Sequence, residues 1–172
     1  MNTVLILTAI GDDRPGLVEG LSSVISAHGG SWLESSMSRL AGKFAGILQI
    51  SVPPEASSTL REALGNMPDL RVTVEDSSPT QPDPSGQRLH FTLFGQDRVG
   101  IVREVAGVLA RHGVNVESLN TYTESAPMSG ETLFHAEAQL LADAHLNPAD
   151  LKADLERLSL DLVVDFTLNE QV

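Results

Sequence analysis

Cysteine is absent from the 172 residues, so disulfides and thiolate chemistry are excluded and thiols say nothing about redox compartment. Basic residues are few: 11 Lys and Arg stand against 23 Asp and Glu, a formal net charge of −12. Nucleic-acid affinity comes largely from neutralising phosphates with Lys and Arg, so direct DNA binding has no basic face to work with. The same balance opposes binding to anionic membranes. No run approaches the ~20 apolar residues that a bilayer-spanning helix needs. The chain opens on strand-like Val4-Leu5-Ile6-Leu7, without a basic region or a small-residue cleavage site. No leader is therefore expected, and the cytoplasm is the expected location.

What is present is a repeat. Gly11-Asp12-Asp13-Arg14-Pro15-Gly16-Leu17-Val18 returns 84 positions later as Gly95-Gln96-Asp97-Arg98-Val99-Gly100-Ile101-Val102. Leu21, Val24 and Ile25 recur as Val105, Val108 and Leu109, and His28-Gly29 recurs as His112-Gly113. Solenoid units repeat at roughly 20 to 50 residues, so this longer period marks a duplicated small domain. The expected division is a first domain at 1–76, a linker at 77–87 and a second domain at 88–172. The linker holds Pro79, Pro82 and Pro84, and in a polyproline-like state it spans roughly 30 Å. Domains of this size are marginal alone, so the halves are expected to dock on each other or the chain to form an oligomer such as a homodimer.

Both halves read in one order. Strands are expected at 3–10 and 88–95, followed by helices at 15–28 and 99–112. Apolar residues at 17, 18, 21, 24 and 25, and at 101, 102, 105, 108 and 109, give each helix one buried face. Gly29 and Gly113 are stop signals. Phe44, Gly46, Leu48, Ile50 and Val52 then alternate with polar residues, as do Phe134, Ala136, Ala138 and Leu140, which is strand periodicity. A second helix follows, opened in the second half by the N-cap pair Asn147-Pro148. Closing strands are expected through Leu70, Val72 and Val74, and through Leu160, Leu162, Val164, Phe166 and Leu168. The order β-α-β-β-α-β predicts an α+β fold of two ferredoxin-like units, each a four-stranded antiparallel sheet with two helices on one face.

The repeated turn carries the chemistry. A helix start offers free N–H groups and a dipole suited to a carboxylate. Gly16 and Gly100 lack Cβ and allow a ligand or a neighbouring backbone to approach. Asp13 and Asp97 either cap the helices or accept hydrogen bonds from an ammonium group. Taken together, carboxylate on the helix start and ammonium on Asp describe a free α-amino acid.

Two βαββαβ units with Asp-Arg-x-Gly-(Leu/Ile)-Val at the first strand-to-helix turn resemble tandem ACT domains. The continuations His28-Gly29-Gly30-Ser31-Trp32-Leu33-Glu34-Ser35 and His112-Gly113-Val114-Asn115-Val116-Glu117-Ser118 fit the same family. The resemblance implies a regulatory module, without catalytic or metal-binding residues or a cofactor, that senses amino acids at ACT–ACT interfaces. Two such domains with nothing attached resemble a group of transcriptional regulators of glycine cleavage genes. That implies repression through a DNA-binding activator as protein partner, with glycine as effector. Carried over by position, the ligand-facing candidates are Asp13, Arg14 and Gly16, with Asp97, Arg98 and Gly100, and Asn115 from the following strand. Pro15 stands where the second half has Val99, so one site is open to being a binding site and the other structural.

Other readings compete. A regulatory subunit of an amino-acid metabolic enzyme and a ligand-free interaction scaffold both fit the same fold. A phosphatase would use Arg14 or Arg98 as a clamp, but Asp12, Asp13 and Asp97 repel a phosphate dianion. His90 and His135, with Glu137, would form a weak metal site if adjacent strands brought them together. His28 and His112 are placed to act as favourable charges or hydrogen-bonding groups at helix ends. The serines have no His–Asp partners for nucleophilic catalysis. The loop Ser125–Gly130 reads as a plain hairpin connection.

Overall fold

A computed structural model describes residues 1–77 and 85–168. The chain divides into two compact units, residues 1–80 and 81–172. Most of the expected linker, 78–84, lies outside the described residues. Its last residue, Gln87, already belongs to a strand, where its amide donates to the carbonyls of Asp143 (2.8 Å) and Leu146 (2.7 Å).

The first unit runs β1 (Thr3–Asp12), α1 (Leu17–Ala27), β2 (Ser31–Leu40), β3 (Lys43–Val52), a 3-10 turn (Pro54–Ala56) continuing into α2 (Ser57–Gly65), and β4 (Arg71–Asp76). The second runs β5 (Gln87–Gln96), α3 (Ile101–Arg111), β6 (Asn115–Ser125), β7 (Thr132–Ala142), α4 (Pro148–Glu156) and β8 (Val163–Leu168). The sheet orders are β2-β3-β1-β4 and β6-β7-β5-β8, antiparallel throughout. Each unit is therefore the α+β, ferredoxin-like βαββαβ fold that its periodicities predict.

Alternation sets which sheet face is covered. Leu5, Leu7 and Ala9 of β1 are buried with Leu48, Ile50 and Val52 of β3, beneath Leu17, Leu21 and Ile25 of α1 and Leu60 and Leu64 of α2. In the second unit Leu89, Phe91 and Leu93 meet Ala136, Ala138 and Leu140 beneath α3 and α4. Each of the Leu, Ile, Val and Phe side chains contributes roughly 1.5–3 kcal/mol by leaving water, and each Ala less. Equivalent positions are filled differently: Leu7 lies opposite Leu48, whereas Phe91 lies opposite Ala138.

Both first helices begin two residues later than the expected starts at 15 and 99, at the first residue of each apolar stripe. Gly16 (φ 90°) and Gly100 (φ 89°) are left-handed, a conformation that helices of L-residues do not continue, so the helices open at Leu17 and Ile101. Their ends are Schellman closures. The Gly29 N–H donates to Ser26 and the Gly30 N–H to Ile25, while the N–H groups of Gly113 and Val114 donate to Ala110 and Leu109. Asn147 caps α4 as expected, its side chain accepting from the Ala149 N–H at 3.0 Å. The Ser125–Gly130 connection is an ordinary hairpin end, closed by the Ala126 N–H on the Glu131 carbonyl at 2.8 Å.

Candidate functional site

Four residues carry each unit from its central strand into its first helix. In the first unit the turn is held from two sides. The β2–β3 hairpin turns through Ala41 (φ 49°) and Gly42 (φ 79°), the paired left-handed conformation of a tight two-residue loop. This tip brings three groups onto the turn: the Gly42 carbonyl accepts from the Asp13 N–H at 2.9 Å, Arg39 Nε lies 3.1 Å from Asp13 Oδ2, and Lys43 pairs with Asp12. Lys43 holds the Asp12 carboxyl below the usual carboxylate range, by hydrogen bond first and charge second. From the other side Arg14 pairs with Asp69, in the loop before β4. Arg14, Pro15, Gly16, Met67 and Asp69 help line a cavity of about 260 Å³.

The second turn keeps the backbone and loses these partners. The Asp97 N–H donates to the Thr132 carbonyl at 2.8 Å, as Asp13 does to Gly42. Register places Thr123 where β2 has Arg39, and Leu133 where β3 has Lys43. Among the described residues no side chain partners the Asp97 carboxylate. Arg98 folds onto its own helix, pairing with Glu104 and donating to the Leu158 carbonyl at 3.5 Å. Its hydrogen bond holds the Glu104 carboxyl low. Asp161 closes the turn differently, accepting from the Gln96 N–H at 2.9 Å.

Several expectations change. Asp13 and Asp97 are not helix caps: the caps are Gly16 and Gly100, and neither helix has a side-chain capping bond. The two glycines do not make room for a neighbouring backbone, since a Cβ at either would meet nothing within 4 Å. Their positive φ is the reason for glycine. Close approach belongs instead to Gly11 and Gly95, near the ends of β1 and β5, where a Cβ would stand 2.3 Å from the Asp69 carbonyl oxygen and 2.6 Å from Leu162 Cδ2, respectively. Asn115 does not join Asp97 within one unit. It opens β6 opposite Leu141, which faces Arg88 at the start of β5, while Asp97 follows the other end of β5, roughly 30 Å away at strand rise.

The histidines are likewise placed by register. His90 faces Gln139 and His135 faces Phe94, four residues apart along the strands, so they do not converge. His90 Nε2 is 3.4 Å from Glu137, and His135 Nε2 is 2.7 Å from Glu124. Among the described residues no group of three His, Asp or Glu is arranged around a metal. His28 meets the Val24 carbonyl at 2.8 Å, and His112 bridges α3 to Asp154 of α4 at 2.8 Å. No helix of the described residues is long and apolar enough to cross a membrane.

Two duplicated βαββαβ units with this turn define the class. The chain belongs to the ACT domain family, with ACT domain matches at residues 3–75 and 91–158. It is similar to the glycine cleavage system transcriptional repressor of Escherichia coli (strain K12), 20% identical over 168 residues, 96% of this chain and 88% of the relative. A crystal structure of an unknown protein from Galdieria sulphuraria is 25% identical, with a TM-score of 0.84 over 99% of this chain and 100% of that one. A second structure, of a protein provisionally named a glycine cleavage system transcriptional repressor, is 20% identical with a TM-score of 0.71, covering 99% of each chain. Family and relatives together support a regulatory role.

Proposed function

We propose that this chain is a non-enzymatic, amino-acid-responsive regulator that represses glycine cleavage genes in the cytoplasm by contacting a DNA-binding activator. The observation that carries the effector reading is the second turn. Among the described residues it sets an exposed Asp97 carboxylate without a side-chain partner beside a helix start where the Ile101 N–H is taken by the Arg98 carbonyl (3.2 Å) and the Val102 and Arg103 N–H groups have no intrahelical acceptor. An ammonium group on Asp97 and a carboxylate on those N–H groups use complementary charges, and glycine is the smallest ligand carrying both. The first turn has the same backbone, but Arg39 holds Asp13 and Asp69 holds Arg14, so it serves structure first. An acidic chain of net charge −12 favours action through a protein over action on DNA, and the repressor relatives make glycine cleavage genes the first target to test. The mechanism is linkage: an effector that binds one state better shifts the affinity for the partner by the same free energy.

Calorimetric titration with glycine, serine and a panel of other amino acids tests this. Glycine should bind saturably, Asp97→Asn should weaken it at least about tenfold, and Asp13→Asn should leave it unchanged. Arg39→Ala should add a second site by releasing Asp13. No binding across the panel would leave an interaction scaffold without its own effector site.

A further inference from the structure

Each sheet leaves the face away from its own helices uncovered by them, and the two faces differ in kind. On the second sheet one row crosses all four strands through directly opposed residues: Tyr122, His135, Phe94 and Val163. Tyr122 stacks on His135 with centroids 4.4 Å apart and planes 5° apart, and Phe94 closes the other side at 4.8 Å. The core does not use this row, since Tyr122 is 59% and Val163 61% exposed. Together with Thr92, Asn120 and Glu137 it lines a cavity of about 240 Å³.

Carboxylates flank the row on both sides. Glu124 holds His135 at 2.7 Å on one, and Glu137 and Asp165 stand in the next row on the other. Neither row contains Lys or Arg. The corresponding row of the first sheet reads Ser38, Ala45, Ile10 and Arg71, without a ring and with a cation at its end.

We propose that the open face of the second sheet docks a basic protein segment, placing its Arg or Lys side chains against the Tyr122–His135–Phe94 row. Stacked rings present negative π faces to a cation, and the flanking carboxylates receive its charge. Charge complementarity selects this occupant: a second copy of the same face would set Glu124, Glu137 and Asp165 against themselves. DNA-binding proteins carry basic surfaces, so the site supplies a contact for the partner half of the proposed function. It rests on that partner reading and is independent of the effector site at Asp97.

The probe is an arginine-rich peptide added to the full chain, with a glutamate-substituted peptide of equal length as control, followed by amide NMR shifts. Saturable shifts should centre on Phe94, Tyr122, His135 and Val163. Tyr122→Ser, the residue found in the first half, should weaken binding about five- to tenfold, and Glu137→Gln about threefold. Tyr122→Phe should retain binding because it keeps the ring. Shifts spread over both units, or equal weakening by Glu75→Gln on the first sheet, would mean diffuse charge attraction and overturn the site. Self-association abolished by Tyr122→Ser, with no peptide effect, would assign the face to a second copy instead. Co-purification of a DNA-binding protein that survives Tyr122→Ser unchanged would keep the partner reading and overturn this surface.

Discussion

The hairpin of the first unit reaches over its turn with two cations and a carbonyl, whereas the hairpin of the second reaches over with a carbonyl alone. The backbone bond is common to both, from Asp13 to Gly42 and from Asp97 to Thr132. What differs is two positions, Arg39 against Thr123 and Lys43 against Leu133, on strands that keep the same register. Duplication has thus preserved the geometry that a helix start requires and released the side chains that decide whether its acidic group is occupied. The open sheet faces diverge in the same manner, over equally well-kept strands.

The most disruptive way to probe this comparison is to fill the close approach before each turn. Gly11→Ala would drive Cβ into the Asp69 backbone carbonyl and should cost about 3 kcal/mol or more. Gly95→Ala meets the buried Leu162 side chain first and the Asp161 carbonyl only at 3.3 Å, so it should cost less, about 1–2 kcal/mol. Urea midpoints of the two variants give the order directly; equal losses would show that the second turn is as rigid as the first. Next in size are Gly16→Ala and Gly100→Ala. With the same φ and open space at both, each should lose about 1–2 kcal/mol from left-handed strain alone. A clear inequality between them would mean that the conserved backbone is not energetically equivalent.

The smallest effect is on pH. Among the described residues four carboxylates sit below their ordinary range: Asp12 through Lys43, Glu104 through Arg98, Asp154 through His112 and Asp161 through the Ser159 hydroxyl. A lowered native pKa means that the unfolded chain takes up the proton first. The stabilisation is therefore complete above the unfolded values near about 4 and fades as pH falls through the native ones. Three of the four lie in the second unit, so on acidification its amides should lose exchange protection before those of the first. Asp12 and Asp161 are exposed and Glu104 and Asp154 half-buried, so solvent screening keeps the difference small. The reverse order would place the acid-sensitive contacts elsewhere.

How far the sequence reached can be judged at these same residues. Period-two runs, the Gly29 and Gly113 stops and the Asn147-Pro148 cap are local signals, and the elements they mark lie close to their expected positions, except that the last strand opens at Val163, past an exposed Leu160 that the alternation includes. The helices start two residues past the expected 15 and 99, at the first apolar positions Leu17 and Ile101, because the left-handed Gly16 and Gly100 stand between. Asp13 and Asp97 resemble caps within a short window, but their partners depend on the hairpin register, which spacing alone does not supply. Asp69 lies 55 positions from Arg14, and Lys43 reaches Asp12 only through a two-residue turn whose first position is an unremarkable Ala41. The ring row was equally hidden, since Phe94, Tyr122 and His135 stand apart in sequence and meet only through strand pairing.

The unlike core pairs have a consequence for the nascent chain. A ribosome delivers two look-alike central strands one after the other, and tandem homologous units are prone to exchanging such pieces. If β5 took the place of β1, the Phe91 ring would fall on Leu48 where a Leu belongs, overfilling the site by about 1–3 kcal/mol. If β1 took the place of β5, Leu7 would face Ala138 and leave a void in place of the ring. Size alone should therefore disfavour each half taking up the other's strand.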